Sequence, residues 1–202
     1  MTDQKANNPE ESWKEMIEEF GDDHSPLGPK LSKAFTEDSY SLMWHISWFK
    51  FAGKMIGEKG KTLVFDPLEG LGAWTVACET KDVIAVLPVI DSYEKIRADW
   101  PSENIIFEKN AEILLSADKL FAGVVCFDIT EHKSRTEWDS FFEDGSRIVV
   151  DGGIVIAGGR GDGLAQILKE TASANFKHVF MFGQGQSHPC ISPADAVIVL
   201  AC

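Results

Sequence analysis

The sequence predicts an α/β protein on a doubly wound, mostly parallel sheet of seven strands, and three observations carry that expectation. Seven short apolar runs recur between residues 62 and 201. They are apolar throughout rather than alternating, as strands covered on both faces are. The pieces between the runs include four of helical length, which suits parallel crossovers. The last connection, "QGQSHPCISPA", has no room for a helix. The final two runs should therefore pair as an antiparallel hairpin at the sheet edge, since parallel neighbours need about a dozen connecting residues or more.

Taken in order, residues 1–10 are a polar leader. "ESWKEMIEEF" (11–20) sets Trp13, Met16, Ile17 and Phe20 at helical spacing and stops at Gly21. That pattern predicts an acidic amphipathic helix, packed on the domain by Trp13 and Phe20 or serving as a dimer contact. "DDHSPLGPK" reads as a Pro- and Gly-rich linker. The expected organisation is thus a leader and helix over 1–29, then a single α/β domain over 30–202. From Tyr40 to Gly57, Leu42, Ile46, Phe49, Gly53 and Ile56 recur at three- and four-residue steps, and Trp44, Trp48 and Phe51 widen that face. A long, largely buried helix follows.

Strands are expected at "TLVFD" (62–66), "DVIAVL" (82–87), "NIIFE" (104–108), "FAGVVCFD" (121–128), "GGIVIAG" (152–158), "KHVFMFG" (177–183) and "DAVIVLA" (195–201). Helices should occupy 72–80, 91–98, 135–143 and 163–174. In such a sheet ligands sit beyond the carboxyl ends of the strands. The loop "DPLEGLG" lies there, and its glycines suit either a ligand-cradling turn or a plain tight turn.

Composition narrows the function. A chain of 202 residues that is 44% hydrophobic forms one domain with a sizeable core. A net charge of −13 argues against nucleic acid and anionic membranes as partners. Three of the four scattered cysteines fall in apolar surroundings, as in a reduced cytoplasmic protein. No apolar run approaches the ~18 residues that span a bilayer, the N-terminus lacks an apolar signal core, and no metal-ligand spacing occurs.

The order of these segments resembles the class I S-adenosylmethionine-dependent methyltransferase fold over residues 30–202. "FAGVVCFDITEH" (121–132) is similar to its fourth-strand segment, and "IVVDGGIVIAG" (148–158) to the hairpin leading into its fifth strand, with Asp151 where Pro is usual. "HISWFKFAGKMI" (45–56) and the C-terminal stretch resemble a bacterial branch acting on small molecules or glycan-type acceptors. The resemblance implies S-adenosylmethionine held by Asp66, Glu69, Gly70, Gly72 and Asn110. It implies an acceptor near Asp128, Glu131 and His132, with His132 as general base. The rival for that group is a turn cap at Asp128 beside an exposed His132.

Three family positions do not match. Leu68 stands where the first glycine of the loop belongs, and a Cβ there is disfavoured at positive φ. Leu87 replaces the acid that accepts both ribose hydroxyls, with Asp91 four residues on. Trp48 replaces an Arg suited to the methionine carboxylate. His45 fits a core histidine, His188 a surface loop, and "GGRGDG" (158–163) a flexible turn whose Arg could meet an anion. Two readings follow: a methyltransferase with an atypical cofactor site, or a non-catalytic protein of that fold that binds a partner or another small ligand. A dinucleotide oxidoreductase is weaker, because the glycine spacing is wrong. A homodimer is open.

Overall fold

The first described helix begins on a capping group supplied from elsewhere in the chain. The computed structural model describes residues 27–87, 93–110, 118–128, 133–184 and 196–202. Helix α1 (Pro29–Ile56) has Gly28 as its N-cap and Pro29 in its first turn, where a missing N–H and a fixed φ suit the geometry. No local side chain caps it. Instead the Leu31 N–H donates to Glu69 Oε2 at 2.8 Å. The helix therefore starts well before Tyr40, and the linker expected through Lys30 gives way to helix at Pro29. At Asp38 the backbone leaves the helical region (φ −151°, ψ 71°). It does so within Thr36, Asp38 and Ser39, whose short polar side chains compete for backbone hydrogen bonds.

A 3-10 turn (Gly57–Lys59) leads into β1 (Lys61–Phe65), then α2 (Leu71–Ala77), β2 (Asp82–Val86), α3 (Tyr93–Asp99), β3 (Ile105–Glu108) and β4 (Phe121–Asp128). The second half continues with α4 (Arg135–Ile148), β5 (Val149–Gly159), α5 (Leu164–Asn175), β6 (Val179–Gln184) and β7 (Ala196–Ala201). All seven expected strands are present, within a residue or two except at the start of β5. That strand begins at Val149, ahead of Gly152, because its ladder with β4 shifts register between Phe121 and Gly123 and Gly152 takes φ +77°. Helix α4 runs to Ile148, beyond the expected 143, and opens on a capping box between Ser134 and Glu137. The amphipathic segment 11–20 lies outside the described residues.

The sheet order is β3-β2-β1-β4-β5-β7-β6. Strands β3, β2, β1, β4 and β5 pair in parallel. β7 lies antiparallel between β5 and β6, so the terminal pair is the expected antiparallel hairpin. One face is covered by α1, α2 and α3 around Phe49, Ile56, Val76 and Ile96. The other is covered by α4 and α5 around Trp138, Phe142 and Leu168. β4 is buried along its whole length, which explains its unbroken apolar sequence. Cys126 is buried, Cys202 half-buried and Cys78 exposed.

Candidate functional site

With this strand order the sheet reverses direction of growth between β1 and β4, and open α/β sheets form their ligand crevice there, at the carboxyl rim. The loop after β1 winds through the left-handed region, with φ of 45° at Asp66, 51° at Leu68, 51° at Glu69 and 97° at Gly70. Each non-glycine residue costs about 1 kcal/mol or more in that conformation. The loop closes on itself. The Gly70 N–H donates to the Pro67 carbonyl at 3.1 Å, the Gly72 N–H to the same oxygen at 2.9 Å, and the Leu71 N–H to the Leu68 carbonyl at 3.2 Å. The amides that would face an anionic ligand at a helix start are already engaged.

The two glycines are spoken for by aromatic rings. A Cβ on Gly70 would lie 2.2 Å from Trp100 Cδ1, and one on Gly72 would lie 2.7 Å from Phe49 Cζ. Both distances are well inside van der Waals contact. The rings of α1 and of the α3 end press against the loop where side chains are missing.

Beside this loop, the rim between β2 and α1 is apolar. Leu87, at the end of β2, is 1% exposed, and Trp48 is also 1% exposed. They share one buried cluster with Leu31, Leu68 and Phe127. The Phe127 ring lies tilted at 5.6 Å from Trp48 and edge-on at 5.1 Å from Phe49. Three residues that shape this region escaped the sequence reading. Leu31 lay between the supposed linker and the expected start of the helix at Tyr40, while Trp100 and Phe127 carried no signal beyond ordinary core.

The polar candidates are scattered. The Glu69 carboxylate accepts from Leu31 N–H and lies against Gly28, so it holds the start of α1. Asp66 lines a cavity of about 270 Å³ on the α4 face, with Phe65, Val86, Cys126, Phe141 and Ile148. Asn110 is exposed after β3. Asp128 is buried at the end of β4 and accepts from the Lys133 N–H, which closes the loop before α4. Glu131, His132, Asp91 and His188 lie outside the described residues. His45 is half-buried, edge-on to Trp48 at 5.1 Å. Burial first, then the Arg160 charge, lowers its pKa to about 4, with Asp38 opposing. Arg160, from the "GGRGDG" turn, lies over the Trp44 ring at 4.6 Å, a cation–π contact. Among the described residues no group of His, Cys, Asp and Glu is placed to hold a metal ion. No described helix is long and apolar enough to cross a membrane.

No protein-family model and no curated protein sequence matches this chain. Solved structures do. The N-methyltransferase NodS from Bradyrhizobium japonicum WM9, in complex with S-adenosyl-L-homocysteine, superposes with a TM-score of 0.62 at 14% identity, over 85% of this chain and 95% of that one. The PH0226 protein from Pyrococcus horikoshii OT3 gives 0.61 at 15% identity, over 81% and 92%. The tRNA (m1A58) methyltransferase TrmI from Aquifex aeolicus gives 0.57 at 13% identity, over 78% and 68%. This chain has the class I methyltransferase fold. The methyltransferase fold implies S-adenosylmethionine, and the described rim is a poor match for it. No acid ends β2, the loop amides are internally bonded, and buried side chains fill the space beside them.

Proposed function

We propose that this chain is a non-catalytic methyltransferase-fold protein that acts by binding a partner or a different small ligand. The observation that supports this reading is the single buried cluster of Leu31, Trp48, Leu68, Leu87 and Phe127 across the carboxyl rim. Two of these residues replace groups that would otherwise hold the ribose and the methionine carboxylate. A ribose hydroxyl pair without an acceptor loses about 1–3 kcal/mol, and a carboxylate without its cation loses a comparable amount. Each ~1.4 kcal/mol is a factor of ten in affinity. The three described free cysteines, Cys78, Cys126 and Cys202, support a reducing compartment, the cytoplasm.

Calorimetric titration with S-adenosylmethionine and S-adenosylhomocysteine tests this directly. The expected result is no heat and no thermal shift at millimolar ligand. Binding at micromolar concentration would overturn it. The paired substitution Leu68→Gly and Leu87→Asp is expected to bring some affinity back.

A second reading is a methyltransferase with an atypical cofactor site and a small-molecule or glycan-type acceptor near Asp128, Glu131 and His132. Asp66, Gly70, Gly72 and Asn110 stand at the family's positions and favour it, as does the S-adenosyl-L-homocysteine bound by the solved neighbour. Micromolar binding in the titration above would select it.

A further inference from the structure

We propose that strand β6 is the contact between two copies of this chain, paired antiparallel about a two-fold axis through Met181.

β6 is the last strand of the sheet order, so one side of it is bonded to β7 and, among the described residues, no strand pairs with the other. Which residues face outward follows from the ladder. His178 and Cys202 exchange both backbone hydrogen bonds, at 2.9 and 3.0 Å. Antiparallel pairs alternate between bonded and non-bonded, and the register runs without a shift from Val179↔Ala201 to Gln184↔Ala196. Phe180 and Phe182 therefore bond to β7, while Val179, Met181 and Gly183 turn their N–H and C=O groups away from it.

Edge strands in soluble proteins are usually blunted by charge, proline or a bulge. The segment "VFMFGQ" has no charge, no proline and no register shift. Its side chains are also left apolar and open. Phe180 is 52% exposed and Phe182 41%. Phe182 touches Phe51 of α1 at 5.2 Å between ring centres, so the patch continues onto the neighbouring helix.

A second copy is the occupant that fits this edge. The outward groups sit on every other residue, and an antiparallel copy centred on Met181 meets them in phase. Met181 then exchanges both hydrogen bonds with Met181 of the second copy, and Val179 pairs with Gly183. Phe180 faces Phe182 in the closer, non-bonded positions, where side chains interact most. The result is an isologous contact with four phenyl rings on one face. Charge agrees with that direction. Exposed Lys177 and His178 precede the strand. Exposed Asp162 flanks its other end, sharing a surface depression with Met181 and Gly183. Antiparallel pairing brings the cationic end of each copy to the acidic end of the other. This inference is independent of whether the crevice binds a cofactor.

Analytical ultracentrifugation of the full chain over a concentration series, with hydrogen exchange in parallel, tests it. The expected species sediments at twice the 22.3 kDa of one chain, and the amides of Met181 and Gly183 gain protection as it forms. Met181→Pro removes an outward N–H without touching the β7 ladder and should weaken association about ten- to a hundredfold. Phe180→Lys, which blunts the edge with charge, should do the same, and Phe180→Leu should retain the dimer. A monomer at every concentration overturns the proposal, whether its edge amides exchange freely or are protected by another part of the same chain. A dimer that survives both Met181→Pro and Phe180→Lys overturns it too, by putting the contact elsewhere.

Discussion

Gly72 has no space for a methyl group, because the Phe49 ring lies 2.7 Å from where its Cβ would be. Gly72→Ala should therefore destabilise the fold by about 1–3 kcal/mol, the range for overpacking a tight core. Phe49→Ala alone should cost about 3–5 kcal/mol. In that background the alanine at 72 should add almost nothing, a coupling that urea denaturation of the four-member cycle measures. Additive costs would mean that the glycine serves something other than the ring. His45 offers a second test on the same helix. Its pKa is lowered from 6.5 to about 4 in the fold, by burial and then by Arg160. The unfolded chain thus takes up the proton first as pH falls. The contribution is complete above about pH 6.5 and is lost progressively down to about pH 4. The melting temperature of wild type should fall more steeply from pH 7 to 5 than that of His45→Gln. Parallel curves would refute this.

At the scale of elements, the link between the β1 loop and α1 is the feature most open to test. Glu69 caps a helix through Leu31, 38 residues earlier in the chain, and the break at Asp38 separates the capped turns from the rest. Glu69→Ala should cost about 1 kcal/mol, as loss of a cap and of a favourable charge at a helix start does. Hydrogen exchange should speed up over residues 31–37 and leave 42–56 unchanged. Faster exchange along the whole of α1 would mean that the break does not uncouple the two parts. This cap also shows where sequence reading stops. The strands were legible because their runs are short and apolar, those of β4 and β7 being buried along their whole length, and their order brought the hairpin with it. The first turns of α1 were not, because their acceptor is distant in the chain and Pro29 beside Gly28 looks like a linker. That Leu87 and Trp48 supply neither a carboxylate nor a cation was legible as chemistry. That Trp100 and Phe49 would take the glycines' space was not, since an aromatic residue in a core pattern does not say which backbone it touches.

For the whole molecule, charge sets the balance. The ion pairs Lys119–Asp151 at 2.6 Å, Arg135–Glu170 at 2.7 Å and Arg147–Asp118 at 3.1 Å have well-exposed partners, and such pairs contribute about 0–1 kcal/mol each. Against them stands a net charge of −13 on 202 residues, whose self-repulsion acts at longer range. Raising KCl from about 0.1 M to about 1 M shortens the screening length from roughly 10 Å to roughly 3 Å. Long-range repulsion is removed almost entirely, whereas contacts near 3 Å are weakened less. The melting temperature should therefore rise by a few degrees, on the order expected for about 1 kcal/mol in a domain of this size. Chloride is the right salt for this, since sulfate would strengthen apolar burial by itself. The same reasoning extends to association through β6. Two copies of like charge repel while their contact strand carries no charge, so salt should tighten the dimer as it raises the melting temperature. Dimerisation weakened by salt would instead mean that the Lys177 and Asp162 ends outweigh the repulsion of the two chains as wholes.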